Sequence, residues 1–198
     1  MIEALVVSNI LLWVVCLALA ATVLALLRQV GLLNERVAPA GALMPARGPA
    51  VGEPAPVVEV EDWNGVRLRV GAAAEDGCRT LLLFVSPTCP VCKTILAIVG
   101  SVIVEERASL RLIFASDGPR EEHRGFVAGE RLLREHPYVL SAPLGLAYQA
   151  GKLPYAVLID GSGIVRARGL VNTREHLESL FEAERRGIGS LQEYLETK

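Results

Sequence analysis

A chain of 198 residues is long enough for one ordinary domain and a short appendage. Its 20 basic and 22 acidic side chains nearly balance and form no run of like charge, which argues against a nucleic-acid-binding protein. Apolar residues make up 52% of the chain, at the high end for a soluble protein, and much of the excess lies near the N-terminus.

After a short tail, 1–3, residues 4–27 form a stretch without a single charge. A helix of about 20 apolar residues crosses a hydrocarbon layer of ~30 Å, so this segment predicts a single transmembrane anchor. A cleaved signal peptide is one alternative, but the tail contains Glu3 and no Lys or Arg, and the apolar run is too long. A buried helix of a soluble protein is the other alternative.

The charges around the span bear on its orientation. Arg28, Arg36 and Arg47 follow the span, and no basic residue precedes it. The positive-inside rule therefore favours a cytoplasmic location for the rest of the chain.

Residues 28–56 are predicted to be a linker between the span and a globular domain. Proline fixes the chain in extended pieces, and no hydrophobic period survives in the proline-rich part, which indicates a semi-stiff spacer. The prolines of this part are Pro39, Pro45, Pro49, Pro54 and Pro56.

A globular domain is predicted over residues 57–186, followed by a tail, 187–198. Asn64-Gly65 between two β-rich runs predicts a hairpin, and the apolar run 80–85 predicts a strand that is buried on both faces. Apolar residues at helical spacing predict a helix from Cys92 to about residue 107.

The second half of the domain continues the alternation of strands and helices. Strands are predicted at 110–115, 153–159 and 164–169, and helices at 120–135 and, capped by Thr173, at 174–186. The whole order predicts an α/β fold with a mixed β-sheet and helices on both faces.

The clearest motif is Cys89-Pro90-Val91-Cys92, where a strand meets a helix. A lone CxxC is either half of a zinc site, a redox pair or a coincidence. Structural zinc needs four ligands, but the three histidines are scattered, and the intervening strand places Cys78 about 20 Å away. Metal delivery by the two cysteines and one histidine stays open as an alternative; otherwise neither a metal nor a cofactor is expected.

Redox chemistry fits the position of the two cysteines. The free N–H groups at a helix N-terminus stabilise a thiolate, so Cys89 is predicted to be the nucleophile. Cys92 lies one turn later on the same face and can resolve a mixed disulfide, forming a Cys89–Cys92 disulfide. Pro90 is well suited to an early helical position.

With these motifs in this order, residues 51–186 resemble the thioredoxin superfamily. The segment 51–56, Val-Gly-Glu-Pro-Ala-Pro, resembles the start of TlpA- and peroxiredoxin-like domains. Leu153-Pro154 matches the cis-proline of the superfamily, and the resemblance implies that it lies against the cysteines and binds the backbone of the client.

Two positions depart from the superfamily pattern. Thr88 stands where a tryptophan often precedes the first cysteine, and Leu83 stands where thioredoxins have a buried acid. The sequence therefore names no group that takes the proton of Cys92.

A narrower resemblance, nearly end to end, is to the MauD family of methylamine utilization proteins. It rests on the N-terminal anchor, on the string Ser-Pro-Thr-Cys-Pro-Val-Cys-Lys at 86–93 and on Leu153-Pro154-Tyr155. The resemblance implies an accessory protein of the bacterial inner membrane, with a periplasmic domain that matures the disulfide-rich β-subunit of methylamine dehydrogenase and exchanges electrons with a further, unidentified redox partner. The alternatives are a TlpA-like reductase for cytochrome c maturation and a client-binding chaperone without turnover.

Overall fold

A computed structural model describes residues 2–36, 48–106 and 110–187. The chain divides into two compact units, Met1–Ala46 and Arg47–Lys198. Residue 1, the central part of the predicted linker at 37–47, and the predicted tail from residue 188 onward lie outside the described residues.

The first unit contains helix α1, Ile2–Arg36. Its segment Val6–Val23 has a mean hydropathy of 2.4, and among the described residues this is the one helix that is long and apolar enough to cross a membrane. The helix continues beyond the predicted span into the predicted linker. Gly31 alone does not end it, because a single glycine costs a helix only about 1 kcal/mol and the first proline comes at Pro39.

The second unit contains two β-sheets. The small sheet is an antiparallel pair, and the large sheet has the order β5-β4-β3-β6-β7, in which β3, β4 and β5 are parallel and β6 and β7 are antiparallel to their neighbours. The elements are β1 Val58–Glu61, β2 Arg67–Val70, β3 Arg79–Phe84, α2 Pro90–Glu106, β4 Leu110–Ser116, α3 Arg120–Gly129, α4 Arg131–Glu135, β5 Tyr138–Leu140, α5 Ala142–Tyr148, β6 Tyr155–Ile159, β7 Val165–Leu170 and α6 Arg174–Arg186.

The central strand β3 is buried on both faces, as its unbroken apolar sequence predicts. Leu81 and Leu83 point to one face and join a core with residues of α2, α3 and α6. Leu82 and Phe84 point to the other face and pack with residues of α5 and the first hairpin. The predicted mixed sheet with helices on both faces is therefore confirmed. The cysteine motif directly follows the C-terminal end of β3.

Several local predictions are confirmed by specific contacts. The first hairpin turns at Gly65, which has a φ of +85°, while the Asp62 carboxylate accepts hydrogen bonds from the N–H groups of Asn64 and Val66. The Thr173 hydroxyl accepts from the N–H of His176 and caps α6.

Two regions of the second unit also differ from the sequence prediction. The helix predicted over 120–135 is two helices, because Glu130 adopts an extended conformation between them. β5 and α5 were not predicted: β5 has three residues, too few to show a period, and α5 begins with Ser141, whose side chain accepts from the N–H of Leu144.

Candidate active site

The loop between β3 and α2 presents the cysteine motif. Its backbone is held to the sheet by the hydrogen bond from the Val85 N–H to the carbonyl of Ala115, and the Cys89 N–H donates to the carbonyl of Ser86 at 3.2 Å. The helix begins at Pro90, a residue whose fixed φ suits the first helical position. Cys89 is therefore the N-cap residue of α2.

The sulfur of Cys89 fills the role that a hydroxyl or carboxylate oxygen has in an ordinary N-cap. The backbone N–H of Cys92, three residues on, donates to the Cys89 Sγ at 3.2 Å. This hydrogen bond and the helix dipole both favour negative charge on that sulfur. Cys89 is partly exposed, whereas Cys92 is completely buried, and both are free thiols.

The Cys92 thiol has a strongly raised pKa. Burial raises the pKa of the Cys92 thiol to about 12, and the neighbouring Cys89 sulfur contributes to the rise. Cys92 therefore keeps its proton at neutral pH. A molecule in solvent can therefore reach the Cys89 sulfur, whereas the Cys92 sulfur is enclosed.

Leu153 and Pro154 lie beside Cys89. The Leu153–Pro154 peptide bond is cis, as the family resemblance implied, and the Cys89 thiol faces the carbonyl oxygen of Leu153 at 4.0 Å. Pro154 is buried, and its carbonyl accepts from the N–H of Val171. The structure thus brings together all four residues that the sequence had assigned to the site.

The remaining cysteines and histidines lie elsewhere. Cys78 precedes β3, at the end of that strand opposite to Cys89, and its backbone N–H donates to the carboxylate of Asp76. Cys16 belongs to α1. Across residues 2–36, 48–106 and 110–187, no three His, Cys, Asp or Glu side chains are placed to hold a metal ion.

Sequence reasoning missed a buried polar pair on the Cys92 side of the sheet. The Nδ1 atom of His123 lies 2.6 Å from the hydroxyl of Tyr138, and its Nε2 atom lies 2.9 Å from the carbonyl oxygen of Asp117. His123 is only 2% exposed, and Tyr138 is fully buried. A signal was present in the sequence: His123 shares the buried face of α3 with Phe126 and Val127, at helical spacing.

Comparison with known proteins identifies the family of the chain. It is 48% identical over 198 residues to methylamine utilization protein MauD of Paracoccus denitrificans, a match that covers 100% of this chain and 98% of that protein. It is 49% identical over 188 residues to MauD of Methylobacillus flagellatus, covering 95% and 90%. The chain belongs to the MauD family. No family model matches the chain.

Solved structures show the same fold. A Chlorobium tepidum protein described as a thiol:disulfide interchange protein DsbE matches with a TM-score of 0.60 and 17% identity, covering 69% of this chain and 99% of that structure. The thioredoxin domain of a thiol-disulfide oxidoreductase from Bacteroides vulgatus matches with a TM-score of 0.53 and 17% identity, covering 65% and 96%. The predicted thioredoxin-like fold is confirmed for this MauD family member.

Proposed function

We propose that this chain is a thiol-disulfide exchange protein of methylamine utilization that acts through Cys89 and Cys92. One observation carries the proposal: a partly exposed sulfur caps a helix, beside the cis-proline, with a buried second thiol one turn away. Thiol-disulfide exchange requires a stabilised thiolate that a client can reach, and a second thiol that only the enzyme can use.

The exchange proceeds in two steps. The Cys89 thiolate attacks a client disulfide, so that a Cys89–client disulfide forms and the other client sulfur leaves as a thiolate. Cys92 then loses its proton and attacks Cys89, which forms the Cys89–Cys92 disulfide and releases the reduced client sulfur. Run in reverse, the same two steps oxidise a client dithiol, and the reduction potential of the pair decides the direction.

The proposed client is the β-subunit of methylamine dehydrogenase. The relatives are named methylamine utilization proteins, and the family resemblance implies a disulfide-rich β-subunit as the protein that they mature. Leu153 and Pro154 lie where they can bind an extended client segment beside the reacting sulfur. A separate redox partner resets the pair after each turnover.

We further propose that α1 anchors the protein in the bacterial inner membrane, with the thioredoxin-like domain in the periplasm. Two considerations support this location: α1 has the length and hydropathy of a span, and stable disulfides form in that compartment. The basic residues after the span favour the opposite orientation. A reporter fused after Lys198 that is active only in the periplasm is the expected result, and activity only in the cytoplasm would overturn the location.

Trapping of the mixed disulfide tests the proposed mechanism and client together. In a Cys92→Ser strain, the protein should accumulate covalently attached to the β-subunit, which non-reducing gels probed for that subunit will show. Cys89→Ser should abolish both the adduct and the mature subunit. Cys78→Ser is the matched control and should behave as wild type, because Cys78 lies at the far end of β3.

Other functions give different results in the same strains. A chaperone that needs no thiol chemistry would still support dehydrogenase maturation when both Cys89 and Cys92 are replaced by serine. A TlpA-like reductase would show lost c-type cytochromes with an intact β-subunit. Absence of any mixed disulfide in the Cys92→Ser strain would contradict the exchange mechanism.

A further inference from the structure

Resolution of the mixed disulfide requires a proton acceptor for Cys92. Its thiol is fully buried and out of contact with solvent, and its pKa of about 12 keeps it protonated at neutral pH. The central strand supplies no acceptor, because the β3 side chains on the Cys92 face are the apolar Leu81 and Leu83 and, at the far end, Arg79, whose guanidinium only donates. Any internal acceptor has to come from a neighbouring strand or helix.

The sheet register places Tyr138 on the same face as Cys92. Leu83 of β3 pairs with Phe114 of β4, and Phe114 pairs with Tyr138 of β5. Residues that are directly paired across strands point to the same face of a sheet. All of these residues belong with Cys92 to one buried cluster, so the phenol of Tyr138 enters the core that encloses the thiol.

Two further observations concern the surroundings of Tyr138, and the first of them connects it with Cys92. Burial raises the pKa of Tyr138 to about 12, the Ser116 hydroxyl opposes that rise, and negative charge on Cys92 adds to it. Ser116 lies on the same face of β4 as Phe114, and its buried Oγ atom makes no hydrogen bond of ordinary geometry within the described part of the chain. The face of the sheet that packs against Cys92 thus also carries the Tyr138 and Ser116 hydroxyl groups.

The hydrogen bonds of His123 fix the direction of the Tyr138 hydroxyl. A backbone carbonyl only accepts, so the Nε2 atom that faces the Asp117 oxygen must carry the proton. In the neutral ring Nδ1 is then unprotonated, and the Tyr138 hydroxyl must donate to it across 2.6 Å. The remaining lone pairs of the Tyr138 oxygen are left to accept a proton from another donor.

The charged groups around the pair leave His123 as the internal base. Asp117, just after β4, makes ionisation of Tyr138 less favourable. Arg120 on α3 faces away from the pair: its guanidinium stacks 4.0 Å from the Trp63 ring centroid and donates to the Trp63 carbonyl. The Trp63 ring itself packs against Tyr138, with 6.1 Å between centroids, and covers it on the hairpin side.

We propose that Tyr138 and His123 form a proton relay for Cys92. The inference rests on the proposed exchange chemistry and adds the destination of its proton. As Cys92 attacks Cys89, its proton moves to the Tyr138 oxygen, and the Tyr138 proton moves to Nδ1 of His123. The Cys89–Cys92 bond forms, the Cys89–client bond breaks, and the client thiolate takes its proton from solvent.

The same relay works in reverse. When a client thiolate attacks Cys89 of the disulfide, Cys92 leaves as a thiolate and the proton on His123 returns to it through Tyr138. Protonated His123 donates to the Tyr138 oxygen, so the phenol proton turns toward the Cys92 sulfur and stabilises its negative charge. The relay is thus useful in either direction of exchange.

A chromogenic aromatic disulfide separates the two steps in the full chain in detergent. In a background without Cys16 and Cys78, attack by Cys89 releases the first coloured thiolate and resolution by Cys92 releases the second. Tyr138→Phe and His123→Gln should slow the second release at pH 7 by at least about tenfold, with the loss confined to that release. In both variants, the second rate should rise about tenfold per pH unit as hydroxide replaces the relay, a steeper profile than in the unsubstituted background.

Tyr148→Phe is the matched control, because Tyr148 is also buried and donates one hydrogen bond, to the carbonyl of Pro56, but lies in the core on the other face of the sheet. It should retain both rates. Wild-type second rates and pH profiles in Tyr138→Phe and His123→Gln would overturn the relay, and so would equal slowing of both releases. A first release that persists at full rate in Cys89→Ser would instead overturn the proposed function itself.

A measurement on the unsubstituted protein covers the case in which a variant does not fold. Nitrogen NMR of the His123 ring should show the Nε2–H form in the reduced protein and a different Nδ1 chemical shift, at the same pH, when Cys89 and Cys92 are oxidised. Identical Nδ1 chemical shifts in the two redox states would contradict a connection between His123 and Cys92.

Discussion

Cys92 alone, with every other cysteine replaced by serine, should react with a small disulfide far more slowly than glutathione does. Its pKa of about 12 leaves about one thiol in 10⁵ ionised at pH 7, whereas a thiol of ordinary pKa, ~8.5, is about 3% ionised. Ionisation therefore slows Cys92 by about 3,000-fold. A more basic thiolate is also a better nucleophile, which raises the rate about 30-fold. The rate of Cys92 should therefore be about 100-fold lower than that of the ordinary thiol, before any steric effect of burial.

The assay measures second-order rates between pH 7 and 10 for the full chain in detergent. Burial is the main cause of the raised pKa, so the deficit should persist when Cys89→Ser is combined with Tyr138→Phe, which removes the proposed relay. The rate of this protein should rise about tenfold per pH unit. The matched protein that retains only Cys89 should react at least about 100-fold faster at pH 7. A Cys92 rate within tenfold of glutathione, or a plateau below pH 9, would refute the reasoning.

Three further outcomes are expected. Cys78→Ser should leave the reduction potential, measured against a glutathione buffer, unchanged to within ~30 mV, because Cys78 lies at the far end of β3. The folded state keeps the Cys92 proton at a pH at which the unfolded state has lost it. The free energy of unfolding of the reduced protein should therefore fall by about 1.4 kcal/mol for each pH unit above pH ~8.5, and Cys92→Ala should remove this pH dependence. Gly71→Ala should destabilise the fold by more than ~2 kcal/mol in denaturant titrations, because Gly71 has a φ of +88° and a Cβ there would collide with the Pro56 carbonyl. Gly52 has a similar φ of +87° but open space around it, so Gly52→Ala should destabilise the fold by only ~1 kcal/mol.

The parts that the sequence predicts well are those in which local chemistry decides the structure. The unbroken apolar run of β3 and the proline and cysteines that follow it specify a buried strand and a helix start. Thr173 and Gly187 likewise mark the ends of α6, because a hydroxyl cap and a left-handed glycine act within a few residues.

The parts that escape the sequence depend on long-range register. Tyr138 lies 15 residues from His123, and the two meet only because β5 adds to the sheet beside β4. A three-residue strand has no readable period, and a histidine on a helix can equally face solvent. The position of this pair on the Cys92 face of the sheet therefore becomes visible only when Leu83, Phe114 and Tyr138 are aligned across three strands.

The sulfur cap of α2 links the oxidation state of the protein to its folding. As a thiolate, Cys89 accepts the N–H of Cys92 with a full negative charge, whereas a sulfur in a disulfide carries no charge and accepts weakly. In a thermodynamic cycle, stability that the cap adds to the reduced protein makes the disulfide easier to reduce by the same amount. An N-cap of about 1 kcal/mol corresponds to about 20 mV of reduction potential. Substitutions in the first turn of α2 can therefore shift the oxidising strength of the pair without touching either cysteine.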